Sequence, residues 1–139
     1  MGRGGTVRLT EPDGSDMEVR IVVVDDDPAN VELLRRMLER AGYVNVATTS
    51  DPAEAVELCV REPTALLLLD LHMPGADGFE VMAAVRERDP GVRVIVSTGD
   101  ASPGAAQRAL AAGAGSVLIK PFEYGELIRQ VAEQLQGRQ

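Results

Sequence analysis

Short apolar runs alternate with helical patterns along most of the chain, from about Glu18 onward. The runs do not alternate polar with apolar residues, which is typical of strands buried on both faces of a parallel sheet. Repeated strand–helix units favour such a sheet, with helices on both of its faces. The pattern therefore predicts an α/β fold with a doubly wound, five-stranded parallel sheet, its strands at residues 21–24, 44–47, 65–69, 92–96 and 117–119.

The helices between these runs have recognisable first turns. Asp27-Pro28, Asp51-Pro52 and Ser102-Pro103 each place a capping side chain before a proline, and proline is favoured at the first helical position. Glu54 follows Asp51 at the spacing of a capping box. We therefore expect helices to begin at these three points.

Residues 1–17 have a different pattern. Residues 6–10 alternate like a strand, and Pro12-Asp13-Gly14 is typical of a turn. We expect a flexible N-terminal extension or a linker remnant over residues 1–17 and a single domain over residues 18–139.

Reactive side chains follow four of the five predicted strands. They are Asp25 and Asp26 after the first run, Asp70 after the third, Ser97 and Thr98 after the fourth, and Lys120 after the fifth. Open α/β sheets bind ligands outside the carboxyl ends of their strands. We therefore expect these side chains to meet at one edge of the sheet.

The composition excludes several classes of function. A net charge of −8 argues against direct nucleic-acid binding, which requires a basic face. The single cysteine, Cys59, cannot form an internal disulfide and suits a reducing cytoplasm. The chain has no apolar run of membrane-spanning length and no signal-peptide stretch. We expect a cytoplasmic protein without a membrane partner.

A cluster of acids at a strand edge requires a cation. Two carboxylates ~4 Å apart repel by about 4 kcal/mol at an effective dielectric near 20, and a divalent cation reverses that sign. Mg²⁺ prefers oxygen ligands and commonly joins carboxylates to phosphate oxygens. Phosphoryl transfer needs a nucleophile, a hydroxyl donor and a cationic side chain, and Asp70, Thr98 and Lys120 offer these three groups.

From about Arg20 to Gln136 the chain resembles the receiver domain of two-component response regulators. The resemblance rests on four motifs in order, at residues 21–28 (IVVVDDDP), 69–78 (LDLHMPGADG), 94–99 (VIVSTG), and 112–114 with 120–122 (AGA and KPF). It implies a flavodoxin-like sheet of strand order 2-1-3-4-5 with five helices on two faces.

The resemblance also implies the roles of the residues that contact the phosphoryl group. Asp70 would be the phosphorylation site, accepting the group from a sensor histidine kinase or a histidine phosphotransfer protein. Thr98 and Lys120 would act catalytically by contacting phosphoryl oxygens, and the Lys120-Pro121 peptide bond would be cis. Such a domain does not act as an enzyme on other substrates, because it only transfers the phosphoryl group to itself and then hydrolyses its own aspartyl phosphate.

A Mg²⁺ cofactor follows from the same resemblance. Asp26 and Asp70 would bind the ion directly, Asp25 would bind it through water, and His72 would bind it through its backbone carbonyl.

Two positions depart from the family pattern. Val117 lies where the family often has tyrosine or phenylalanine, and Gly115 replaces a residue that is commonly acidic. A valine is too short to swing between exposed and buried positions. Our hypothesis is that Thr98 still moves toward the phosphoryl group and that the signal leaves through the backbone of the loop from Gly99 to Ser102.

The strongest alternative is a phosphatase of the haloacid dehalogenase type. That family uses an Asp-x-Asp motif, whereas this chain has Asp70-Leu71-His72. A flavin-binding module is a weaker alternative, because it would not need the acid cluster.

Under the receiver interpretation the sequence does not identify the downstream partner or output domain. It also leaves open whether the domain stands alone or belongs to a longer chain, such as a hybrid kinase. A homodimer through the face of the fourth helix, fifth strand and fifth helix is a further expectation from the resemblance.

Overall fold

Five parallel strands form one sheet in the computed structural model, which describes residues 9–10, 16–17, 19–73 and 75–136. The sheet has the order β2-β1-β3-β4-β5, so the predicted fold class and strand order are confirmed. The strands are β1 (Arg20–Val24), β2 (Asn45–Thr49), β3 (Leu66–Asp70), β4 (Arg93–Thr98) and β5 (Ser116–Ile119).

Five helices cover the two faces of the sheet. They are α1 (Pro28–Arg40), α2 (Ala55–Arg61), α3 (Gly78–Arg88), α4 (Pro103–Ala111) and α5 (Tyr124–Gln136). Buried side chains of α2, α3 and α4 pack on one face, and those of α1 and α5 pack on the other. The two layers bury β1 and β3 completely, which explains why these strands are continuously apolar in sequence.

Three strands end later than their apolar runs: β3 continues to Asp70, and β2 and β4 each continue through two further residues. β2 continues through Thr48 and Thr49, which pair with Val23 and Val24 of β1. β4 continues through Ser97 and Thr98. An apolar run marks only the residues that contact the core, whereas β-branched threonine also pairs well in a strand. The predicted ends were therefore too early.

The predicted helix starts are present, but one detail was wrong. Asp27 Oδ1 accepts a hydrogen bond from the Ala29 N–H at 3.0 Å, and Ser102 Oγ accepts one from the Ala105 N–H at 3.4 Å. Asp51 caps a 3₁₀ turn, Pro52–Glu54, that precedes α2. The capping box is replaced by Thr49, whose Oγ1 accepts from the Asp51 N–H at 2.9 Å and bonds Glu54 Oε1 at 2.6 Å.

Near the N-terminus, Leu9–Thr10 pairs with Asp16–Met17 in antiparallel fashion. The turn predicted at Pro12-Asp13-Gly14 lies outside the described residues. In the part of the chain that the structure describes, no helix is both long and apolar enough to span a membrane.

Candidate functional site

Asp70 is the last residue of β3, at the centre of the sheet. Its Oδ1 accepts a hydrogen bond from the His72 N–H at 3.1 Å, and its Oδ2 lies 3.4 Å from Lys120 Nζ. The residue is only 5% exposed. Its carboxylate is therefore held by two donors at the carboxyl edge of the sheet, where the sequence predicts it.

Asp25 follows β1 and is even more deeply buried, at 1% exposure. Its Oδ1 accepts from the Asp27 N–H at 3.0 Å, and its Oδ2 lies 3.1 Å from Lys120 Nζ. The Asn30 side-chain amide also donates to Oδ2 at 3.5 Å. Asn30 was not predicted from the sequence; its only signal is its place in the first turn of α1, three positions after Asp27.

Lys120 bridges the two buried carboxylates from the end of β5. Its backbone N–H donates to the Thr98 carbonyl at 2.8 Å, which ties this end of β5 to β4. Burial lowers the pKa of the Lys120 amine, but the hydrogen bonds and charges of Asp25 and Asp70 outweigh it and raise that pKa overall. Lys120 is therefore a stable cation, and the Lys120-Pro121 peptide bond is cis, as expected.

The environment of Asp70 opposes its ionisation. Burial raises the pKa of the Asp70 carboxyl, and the charge of Asp25 acts in the same direction. The His72 N–H and the Lys120 ammonium lower it, yet the pKa stays above its ordinary value. One ammonium group does not offset the burial and mutual repulsion of these carboxylates.

Asp26 completes a group of three acids. One carboxylate oxygen from each of Asp25, Asp26 and Asp70 lies within 4.8 Å of the others. Three hard oxygen ligands around one point, partly open to solvent at Asp26, fit Mg²⁺ better than a softer metal. The donor set therefore fits the predicted ion, and the His72 backbone lies beside it, because the His72 N–H contacts Asp70.

Thr98 lies at the end of β4 and is 1% exposed. Its Oγ1 accepts a hydrogen bond from the Asp100 N–H at 3.0 Å. Ser97 pairs with Asp70 across the sheet, and its carbonyl accepts from the Leu71 N–H at 3.0 Å. The β4 end therefore lies directly beside the β3 end, with both hydroxyl residues buried.

The loop after Asp70 is shaped by glycine. His72–Met73 pairs with Ala76–Asp77, and Gly75 between them has φ +76°, a conformation that favours glycine. A Cβ on Gly78 would lie 2.7 Å from the Leu71 Cα. Only glycine allows α3 to begin this close to Asp70.

A comparison with protein families agrees with this geometry. The family described as Response regulator receiver domain matches residues 21–132. The chain belongs to this family. The match covers every strand of the main sheet except the first residue of β1, and it gives no support to the phosphatase alternative.

Receiver-family relatives differ greatly in length. A 14.6 kDa protein in the sodA1 3′ region of Leptolyngbya boryana is 41% identical over 118 residues, which are 84% of this chain and 89% of the relative. The alginate biosynthesis transcriptional regulatory protein AlgB of Pseudomonas putida is 36% identical over 124 residues. The chain spans 28% of the length of AlgB and 56% of the probable transcriptional regulatory protein NarL of Mycobacterium tuberculosis.

Solved receiver structures have the same fold. A CheY-like receiver domain protein from Methanospirillum hungatei JF-1 has a TM-score of 0.79 at 30% identity, covering 86% of this chain and 95% of its own. The Vibrio cholerae chemotaxis protein CheY4 has a TM-score of 0.79 at 28% identity, covering 86% of this chain and 100% of its own.

Proposed function

We propose that this receiver domain accepts a phosphoryl group on Asp70 from a sensor histidine kinase or a histidine phosphotransfer protein, with Mg²⁺, and that the label changes which partner it binds. The observation that carries this proposal is the position of Asp70. It ends the central strand, is nearly buried, and lies within reach of two further acids and one lysine.

The transfer is a displacement at phosphorus. An Asp70 carboxylate oxygen forms the new P–O bond while the P–N bond to the donor imidazole breaks, and the leaving imidazole takes up a proton. The His72 N–H and Lys120 hold the carboxylate in place. Lys120 then pairs with a phosphoryl oxygen, and the Thr98 hydroxyl donates to another, so charge is stabilised where it develops.

The cofactor would be held by the acid cluster. Asp26, Asp70 and the His72 backbone carbonyl would bind Mg²⁺ directly, and Asp25 would bind it through water. When bound, the ion neutralises charge on the carboxylates and on the equatorial phosphoryl oxygens. Burial of Asp25 and Asp70 keeps both carboxylates fixed before the ion arrives.

The domain acts on itself rather than on a separate substrate. Its chemistry comprises self-phosphorylation from the donor and hydrolysis of its own aspartyl phosphate.

We propose a cytoplasmic location, residues 18–139 as the receiver domain, and residues 1–17 as an extension. The downstream partner or output domain would contact the α4–β5–α5 face, where Leu110 is 49% exposed, and the same face would form a homodimer contact.

Mass spectrometry of the intact chain tests this proposal. Incubation with acetyl phosphate and Mg²⁺ is expected to add one phosphoryl group. Asp70→Asn should abolish the gain, because an amide is a poor nucleophile for phosphorus. Glu87→Gln, at an exposed position on α3, is the matched control and should be labelled like the wild type.

Labelling that persists in Asp70→Asn would refute the assignment. Steady turnover of a generic phosphate ester by the wild type would instead indicate a phosphatase.

A further inference from the structure

A chain of hydrogen bonds connects Thr98 to the start of α4. The Thr98 hydroxyl accepts from the Asp100 N–H at 3.0 Å, and Asp100 Oδ1 accepts from the Ser102 N–H at 3.0 Å. Ser102 Oγ in turn caps α4 through the Ala105 N–H at 3.4 Å. The position of the Thr98 hydroxyl is therefore linked to the first turn of α4 through two short side chains.

The core anchors α4 only weakly. Its buried residues are two alanines, Ala105 and Ala109, while Leu110 is 49% exposed. Alanine buries little apolar area, so few interactions oppose a shift of this helix. Gly104 in the first turn lowers helix stability further. The cap at Ser102 is therefore a large share of what holds the start of α4.

The neighbouring helix α5 is anchored strongly to β5. Gln130 is 6% exposed, its Oε1 accepts from Ser116 Oγ at 2.7 Å, and its Nε2 donates to the Val117 carbonyl at 3.1 Å and to Glu126 at 2.8 Å. Leu127, Val131 and Leu135 are buried beside it. Removing a buried amide partner leaves polar groups unsatisfied, so this contact resists displacement.

Gly115, directly before β5, lies beside the Gln134 side chain of α5. A Cβ at this position would collide with the end of the Gln134 side chain in its present rotamer. Of the two departures from the family pattern, Val117 lies on β5, where its carbonyl accepts a hydrogen bond from Gln130, and Gly115 lies directly before that strand. Residue 117 has no aromatic side chain that could rotate, and the Gln130 hydrogen bonds to β5 oppose a displacement of β5 relative to α5.

We propose that phosphorylation in this chain loosens α4 alone, because Asp100 and Ser102 carry the movement of Thr98 to the α4 cap while Gln130 holds α5 on β5. The inference rests on the proposed function, since the movement of Thr98 requires a phosphoryl group on Asp70. When a change of the Thr98 side-chain rotamer carries the hydroxyl oxygen toward the phosphoryl group, that oxygen leaves the Asp100 N–H, which then loses its acceptor. The turn that positions Ser102 then opens, and α4 frays from its start.

Hydrogen–deuterium exchange of the whole chain tests the proposal, with the phosphorylated fraction measured by mass in the same samples. Under continuous acetyl phosphate and Mg²⁺, wild-type amides of residues 104–111 should exchange roughly five-fold faster, as expected for loss of one helix cap. Amides of residues 124–136 should change little. Equal acceleration in both helices, or none in α4 of a fully phosphorylated chain, would overturn the proposal.

Variants at Asp100 test whether this residue holds the start of α4, and they need no phosphorylation. Asp100→Ala should give fast α4 exchange in the unlabelled chain, whereas Asp100→Asn, which keeps the acceptor for the Ser102 N–H, should match the wild type. Slow α4 exchange in unlabelled Asp100→Ala would refute the coupling. A chain that gains no phosphoryl group would contradict the proposed function instead, and the Asp100 result would still stand.

Variants at the contact between α5 and β5 test whether Gln130 holds α5 in place. Gln130→Met removes three hydrogen bonds at similar size, so phosphorylation should now accelerate exchange in both α4 and α5. If this variant does not fold by circular dichroism, Ser116→Ala removes one of the three bonds and should give a smaller change of the same kind. An unchanged α5 in both folded variants would show that Gln130 is not what holds it.

Discussion

At the scale of single residues, Lys120 is the only cation in contact with two buried acids among the described residues. It is also the only lysine of the chain. Asp26 adds a third carboxylate to the same group. Under the proposed function such a cluster serves to bind a cation and a phosphoryl group at the expense of stability, a common trade-off at functional sites.

We predict that Asp26→Asn stabilises the metal-free chain and weakens Mg²⁺ binding. Removing one of three neighbouring charges relieves repulsion worth on the order of 1 kcal/mol for a partly exposed group. Thermal unfolding in chelator should show a higher midpoint than the wild type. Added Mg²⁺ stabilises a chain that binds it, so the variant should gain less from Mg²⁺.

Glu87→Gln is the control for this experiment, because it removes one exposed negative charge far from the cluster in sequence. It should unfold like the wild type in both conditions. If Asp26→Asn and Glu87→Gln respond equally to Mg²⁺, the acid cluster is not the metal site.

At the scale of secondary-structure elements, Arg20 connects β1 to the end of α2. The residue is 6% exposed, and its Nη1 donates to the Leu58 carbonyl at 2.7 Å and to Thr64 Oγ1 at 2.9 Å. Leu58 lies in the last turns of the seven-residue helix α2, where carbonyl groups lack helical partners. A cation at this end also favours the helix dipole.

We predict that Arg20→Met destabilises the fold by about 2 kcal/mol, because it leaves the Leu58 carbonyl and the Thr64 hydroxyl without this donor. Urea unfolding measures the change. Arg36→Met is the matched control, since Arg36 forms a pair with Glu32 on α1 with its side chain 74% exposed. It should change stability by less than about 0.5 kcal/mol. Equal effects of the two substitutions would contradict a special role for Arg20.

Much at this scale follows from the sequence, because its signals are local. Apolar runs marked the strands, and Asp27 and Ser102 marked helix starts with their own hydrogen bonds. The Thr49 contact that replaces the capping box and the Gln130 contact with Val117 depend on how separate elements pack. No residue spacing along the chain predicts such contacts.

At the scale of the whole molecule, parallel strand order explains how distant residues form one site. Asp25 and Lys120 are 95 positions apart in sequence, yet β1 and β5 end at the same edge of the sheet. This convergence could be predicted, because parallel strands place their carboxyl ends together. The identity of each hydrogen-bond partner could not, and Asn30 beside Asp25 is an example.

The same architecture separates two requirements of a switch. The layers around β1 and β3 are apolar and closed, which keeps the acid edge fixed. α4 has the smallest anchor among the helices that flank the proposed output face. A phosphorylation switch needs a fixed site for the phosphoryl group and, beside it, an element that can move in response.

The most direct test of the central claim is the position of the phosphoryl group. Borohydride reduces an aspartyl phosphate to homoserine and releases phosphate, and cleavage after arginine gives a peptide of residues 62–86 that contains Asp70 and Asp77. Fragmentation of that peptide should place homoserine at residue 70, and only when Mg²⁺ was present during labelling. Homoserine at residue 77 or elsewhere, or formation at residue 70 in the presence of a chelator, would contradict the account.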